Sequence, residues 1–221
     1  MKYFRYLYYF SYITYKWNFK LACFVIQHEI KGERKYGINT TGFSGLQKLK
    51  ANGIDTSHAT IYMPVSYYLL SKAFKHYPKA AKNNFVDIGS GKGRALCVAA
   101  AKGFNKVSGV DISADLCADA VVNLEHTKKI YPLLEYTLQT MDAVNYKIPD
   151  DADCIFFFNP FDEIIMKQVV YNIQNSLRQF PRNMVIIYAN PLYENFFLDI
   201  GFKETYYTSE MDYLEMSILK I

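Results

Sequence analysis

From residue 85 onward, short apolar runs alternate with longer segments whose apolar residues recur at helical spacing. This periodicity predicts strands over 85–88, 106–110, 134–139, 153–158 and 184–189, and helices over 92–102, 113–130 and 163–179. Ser113 and Asp162 stand where N-caps belong, because a short oxygen-bearing side chain accepts from the open N–H groups of a first helical turn. Strand–helix alternation builds a mostly parallel sheet with right-handed crossovers. The end of the chain departs from it. Residues 202–207 and 213–219 read as strands joined only by Thr208-Ser209-Glu210-Met211-Asp212. That connection is too short for a parallel crossover, so the two must pair antiparallel. The expected fold class is α/β: a seven-stranded sheet, mostly parallel, with a C-terminal antiparallel hairpin.

The first 84 residues are patterned differently. Residues 1–27 are dense in Tyr and Phe, and Lys2, Arg5, Lys16 and Lys20 fall within about 60° of one another on a helical projection. The plainest expectation is a helix packed on its own domain or on a second copy, with one solvated stripe. A membrane surface or an acidic partner also suits Tyr, Trp and Lys, and interleaved aromatics suit stacked bases. Charges interrupt the segment too often for a span of ~20 apolar residues. No small-residue cleavage site follows an apolar core, as a secretory signal requires. Residues 31–37 read as a turn, and residues 43–50 as a short amphipathic helix ending at Asn52-Gly53. Pro64 opens a further helix, which Pro78 stops.

Charge sharpens this division. Residues 1–84 carry 13 Lys/Arg against Glu29, Glu33 and Asp55, a net of +10, whereas residues 85–221 carry 12 against 18 acids, a net of −6. The domains expected are a basic, aromatic helical extension over 1–56 and a catalytic domain over 57–221. Cys23, Cys97, Cys117 and Cys154 form no Cys-x-x-Cys, and the four histidines are scattered, so no structural metal is expected. Scattered reduced thiols suit a cytoplasmic protein.

The candidate chemistry lies at the first strand–helix junction, Asp87-Ile88-Gly89-Ser90-Gly91-Lys92-Gly93. Glycines at alternate positions supply unusual dihedrals and remove the Cβ atoms that would keep a ligand off the backbone. The spacing is not the Gly-x-x-x-x-Gly-Lys-Ser/Thr of a phosphate loop, nor the Gly-x-Gly-x-x-Gly of a dinucleotide site. Asp111 ends the second apolar run, 24 residues after Asp87. An acid at that distance suits a ribose.

The spacing Asp87-x-Gly89-x-Gly91-x-Gly93 resembles motif I of the class I S-adenosylmethionine-dependent methyltransferases. The terminal hairpin also resembles that family, and the resemblance spans roughly residues 60–221. It implies a Rossmann-like sheet, S-adenosylmethionine as cofactor and methyl transfer as the activity. It places the cofactor against Asp87, Gly89, Gly91 and Gly93, with Asp111 and its neighbour Ile112 at the ribose. By the same resemblance, Asp142 and Ala143, after the third strand, hold adenine; otherwise Asp142 caps a loop turn. Tyr62 is placed near the mouth of the loop, as a cofactor contact or as a packing side chain at a helix start.

Asn159-Pro160-Phe161 follows the fourth strand, Phe156-Phe157-Phe158. It resembles the Asn/Asp-Pro-Pro-Tyr/Phe motif of amino-group methyltransferases with one Pro missing. It is loosely similar to the Asn-containing motif of non-SET protein-lysine methyltransferases. The resemblance implies that Asn159 accepts from an attacking amine and also borders the cofactor, that Pro160 fixes the loop, and that Phe161 walls the acceptor pocket. The substrate implied is a protein amine. A nucleic-acid acceptor, suggested by the +10 extension, is the alternative. A non-catalytic cofactor-binding or membrane-surface module is the reading from another class.

Overall fold

The computed structural model of the protein describes residues 2–42, 47, 61–77, 82–159 and 161–221. Seven strands form one sheet: β1 (Asn84–Ile88), β2 (Lys106–Asp111), β3 (Glu135–Thr140), β4 (Ala152–Phe158), β5 (Val185–Ala189), β6 (Lys203–Glu210) and β7 (Leu214–Lys220). The spatial order is β3-β2-β1-β4-β5-β7-β6. Strands β1 to β5 run parallel, and β7 pairs antiparallel with both β5 and β6. The expected α/β sheet and hairpin are thus present. Successive strands leave β1 in opposite directions, so the crevice at the carboxyl ends of β1 and β4 is the switch point where such folds take ligands.

Helices cover both faces. Helices α3 (Tyr67–His76), α4 (Arg94–Ala101) and α5 (Ala114–Ile130) share one core with Phe85, Phe156 and Ile187. Helix α6 (Glu163–Gln179) and the short α7 (Asn195–Asp199) share the other with Val86, Ile88 and Phe157. Alternate residues of β1 and β4 therefore face opposite layers, as the strand period of two requires. Ser113 and Asp162 cap α5 and α6 as expected, their side chains accepting from Leu116 N and from Ile164 and Ile165 N. Helix α4 begins two residues later than its periodicity suggests. Gly93 takes a left-handed φ of 75° and ends the loop rather than joining the helix.

The N-terminal segment is two helices, α1 (Lys2–Lys16) and α2 (Phe19–Tyr36), with Asn18 capping α2 through Leu21 N at 2.8 Å. The single cationic stripe does not form. The chain turns at Trp17-Asn18, which puts Lys20 on a different helix, and Arg5 turns inward to Glu33. Residues 31–37 are not a turn either. Helix α2 continues to Tyr36 because Glu29 and Glu33, one turn apart, are drawn into the protein, and it ends at Gly37 with φ 69°. Gly32 lets α2 lie close on α3: a Cβ there would come within 2.2 Å of the Tyr67 ring. The helix expected over 43–50, the Asn52-Gly53 stop, Pro78 and the boundary at residue 56 lie outside the described residues. No helix among the described residues is long and apolar enough to cross a membrane.

Candidate active site

The loop after β1 is built around three left-handed glycines, Gly89, Gly91 and Gly93, with φ of 88°, 50° and 75°. A Cβ on Gly91 would sit 2.3 Å from the Tyr62 ring. Tyr62 therefore lies directly over the loop, anchored by its hydroxyl, which donates to the Thr40 carbonyl at 2.8 Å. Burial pushes its phenol pKa well up. Ser90 Oγ, in the same loop, is buried and has no hydrogen-bond partner among the described residues.

Asp111, at the end of β2, holds the loop from the side. Its carboxylate accepts from Gly91 N at 2.8 Å and from Ser113 N at 2.9 Å. Each carboxylate oxygen carries a second lone pair, so a diol could still be received there. Desolvation raises the Asp111 pKa, and the two N–H donors partly offset it. Asp87 is buried at the end of β1, and its pKa stands well above the ordinary range, from desolvation first and from the neighbouring Asp111 charge second. Ile112 is half-buried between Asp111 and the Ser113 cap. Half-buried Asp142 and Ala143 follow β3, where Asp142 caps a single 3-10 turn by accepting from Val144 N at 3.0 Å. Its capping role is therefore real, and it stands on the same sheet edge as Asp111, since β2 and β3 are paired up to Asp111 and Thr140.

This cradle fits a nucleoside-bearing methyl donor. It offers a left-handed glycine loop with the Tyr62 ring packed on Gly91, a carboxylate with free lone pairs, and a buried hydroxyl in want of a partner.

Beside it lies a cavity of about 390 Å³ between the carboxyl ends of β4 and β5, helices α1 and α2, and the β6–β7 hairpin. Phe158 and Asn159 line it, as do Asn190, Asp212 and Glu215. The described residues include four non-glycine positions with positive φ: Asn159 (37°), Asn190 (52°), Met211 (56°) and Asp212 (62°). Three of these four line the cavity. Backbone strain of this kind concentrates where side chains must be held at unusual angles for function.

Phe161 is a correction. It is buried in the α6-side core with Val86 and Ile88 and does not line the cavity. After the turn at Asn159 the chain passes to the other face of the sheet, and Phe158 supplies the aromatic wall instead. Pro160 lies outside the described residues.

The periodicities say nothing of Arg94. It is buried at the start of α4, directly after the glycine loop, and all five of its N–H donors are used. It meets the Glu29 carboxylate in a two-pronged pair at 2.8 and 2.5 Å, and it also donates to Thr40 Oγ1, Thr41 Oγ1 and the Val65 carbonyl. Its guanidinium lies 4.0 Å over the Tyr67 ring. This cluster ties the N-terminal helices to the loop. One sequence signal for it exists: Glu29 and Glu33, at a spacing of one helical turn, are the only acids in the first 54 residues.

Residues 86–183 match the family described as methyltransferase domain. No curated protein matches the chain. Among solved structures, an RNA methyltransferase from Salinibacter ruber in complex with S-adenosyl-L-homocysteine is 13% identical with a TM-score of 0.52, over 72% of this chain and 94% of that one. Precorrin-6y C5,15-methyltransferase from Geobacter metallireducens is 13% identical with a TM-score of 0.53, over 71% and 87%. The pyocyanin biosynthetic protein PhzM is 13% identical with a TM-score of 0.53, over 69% of this chain and 54% of its own length. At these identities the likeness is one of fold. By the domain match, residues 86–183 carry a methyltransferase domain, and the hairpin-closed sheet is the fold the chain shares with these solved structures.

Proposed function

We propose that this enzyme methylates an amine nitrogen, and that the amine is carried by a protein side chain. The observation that carries the proposal is the position of Asn159. It follows β4, the strand paired with β1, and lines a cavity of about 390 Å³ whose walls include Phe158, Trp17 and Tyr213. S-adenosylmethionine, when bound, supplies an electrophilic methyl group. In this reading Asp87, Gly89, Gly91, Gly93 and Tyr62 surround its amino-acid part, Asp111 and Ile112 its ribose, and Asp142 and Ala143 its adenine, with Asn159 at the border with the acceptor.

The remaining work belongs to the acceptor. An alkylamine is protonated at neutral pH and must lose one proton to expose its lone pair. Apolar walls such as Phe158, Leu69 and Val25 disfavour the ammonium form. The Asn159 carbonyl oxygen accepts an N–H and turns the lone pair toward the cradle. The product leaves as the methylalkylammonium, so one proton is released for each methyl transferred. Transfer should therefore rise with pH through the acceptor's pKa.

The alternative of a nucleic-acid acceptor rests on the cations of residues 1–84. Two of these are spent within the protein: Arg5 pairs with buried Glu33, and Lys72 with Glu210.

Asn159→Ala should keep S-adenosylmethionine affinity and lose roughly 10²–10³-fold in turnover, the scale of one preorganised polar contact. A destabilised variant with full turnover per folded molecule would make the Asn159 turn structural. Labelling a lysate with tritiated cofactor and separating protein, nucleic acid and small molecules identifies the acceptor. Label in protein is expected.

A further inference from the structure

The charge of the cavity lining does not match the charge of the helices around it. Residues 1–84 are strongly basic, yet among the described residues the lining contains no lysine or arginine. Its charged members are Asp212 and Glu215, both from the β6–β7 hairpin. Lys16 and Lys20, which flank Trp17 in sequence, are exposed and take no part in the lining.

Depth can be read from exposure. Tyr9, Ile13 and Leu69 are nearly inaccessible and form the floor. Trp17 and Tyr213 are 38% and 46% exposed, and together with exposed Asp212 they form the mouth. The two rings meet edge to face at 6.5 Å. Aromatic faces beside carboxylates attract cations and repel phosphates.

The hairpin tip is held in a costly conformation to produce this arrangement. Met211 and Asp212 both have positive φ, where hairpin turns ordinarily use Asn or Gly. Met211 offsets the strain by packing against the cluster of Tyr9, Ile13, Leu21 and Val25 on α1 and α2. Residues from the two ends of the chain thus close one rim.

We propose that this rim is a cation-recognition site, which admits the acceptor as a primary alkylammonium such as a lysyl side chain. The charged head meets Asp212, Glu215 and the Trp17–Tyr213 pair at the mouth. The proton passes to water as the head leaves the carboxylates for the apolar walls, which disfavour the ammonium, and the neutral amine reaches Asn159. The proposal rests on the cavity being the acceptor site.

Trp17 is the chain's single tryptophan and stands at the rim, so its fluorescence reports occupancy directly. The probes are n-pentylamine and its neutral counterpart 1-pentanol, titrated at pH 7 into the full chain. The amine should bind roughly tenfold more tightly, the combined scale of a cation–π contact and two solvent-facing carboxylates. In Asp212→Asn/Glu215→Gln the preference should fall to the roughly two- to fivefold that a cation–π contact alone supplies. Asn tolerates the left-handed backbone at 212, so this variant keeps the turn. High salt should narrow the difference in the wild type.

Equal binding of the two probes to the wild type overturns the proposal. So does a preference undiminished in the double variant, or a Trp17 response to a single-stranded oligonucleotide and none to the amine. Calorimetry with S-adenosylmethionine separates the readings. Cofactor binding without amine preference removes only the cation site, whereas amine preference with label found in nucleic acid removes only the protein-amine reading.

Discussion

Two pairs of acids lie near the glycine loop, Glu29 with Glu33 and buried Asp87 with half-buried Asp111, and they are treated in opposite ways. Glu29 and Glu33 on α2 are surrounded by donors. Glu29 has Arg94 and Thr41, and Glu33 has Arg5, Tyr6 and the backbone N–H groups of Thr40 and Thr41. Burial alone would raise the Glu33 pKa, but hydrogen bonds from Tyr6, Thr41 and Thr40 outweigh it and hold the carboxyl below its usual range. Asp87 and Asp111 face each other without a cation, and both pKa values are raised. A pair hydrogen-bonded at all four carboxylate oxygens is architecture. Asp87, desolvated beside the Asp111 charge at a sheet switch point, costs stability, and such costs concentrate at ligand sites.

The largest effect should come from breaking the hydrogen-bonded pair. Arg94→Ala leaves Glu29 buried without its cation and should cost about 3–5 kcal/mol in denaturant unfolding. Arg94→Met/Glu29→Leu should recover part of the loss, because no bare charge remains. Equal destabilisation in both variants would mean that the bonds to Thr40, Thr41 and Val65, rather than the charge pair, hold the N-terminal helices.

Next comes Asp111→Ala. It removes a charged acceptor from the cradle and frees the Gly91 and Ser113 N–H groups. The expected loss of S-adenosylmethionine affinity is about 1.5–3 kcal/mol by calorimetry. Unchanged affinity would place the ribose elsewhere.

The smallest effect has the opposite sign. A carboxyl whose folded pKa is raised supports folding at low pH and loses that support as pH climbs past its unfolded value toward the folded one. Asp87→Asn should therefore stabilise the ligand-free protein at neutral pH by about 1 kcal/mol, a gain of roughly 2–4 °C in Tm. The gain should vanish in acid, where wild-type Asp87 is protonated anyway. Glu33 runs the other way: its lowered pKa supports folding above the unfolded value, and that support fades as pH falls. A Tm that drops in Asp87→Asn at pH 7 would mean that Asp87 is structural in the same sense as Glu33.

The sheet could be read from the chain because its signals are local. Strand periods, Ser113 and Asp162 at their caps, and a five-residue link between the last two strands each act within a few residues. The glycine loop was legible for the same reason, since left-handed φ at Gly89, Gly91 and Gly93 is a property of the residues themselves. The N-terminal pattern misled because helical projection assumes a continuous helix, and Asn18 starts a new one.

What lay beyond the sequence is everything made by distant residues meeting. Arg94 and Glu29 are 65 positions apart, and nothing local marks them as partners. Phe158 and Phe161 look equivalent on paper, but the chain crosses the sheet between them, and only Phe158 reaches the cavity. Trp17 and Tyr213 come from opposite ends of the chain and meet at one rim. Composition assigned a positive charge to the region around the site, whereas packing buried Arg5 against Glu33 and turned two hairpin carboxylates toward the opening. Sequence determined which segments could become strands, helices and a ligand-bearing loop, because backbone preference acts over short range. Tertiary structure decided which charges face the ligand, because burial and pairing depend on neighbours that the chain brings together only when it folds.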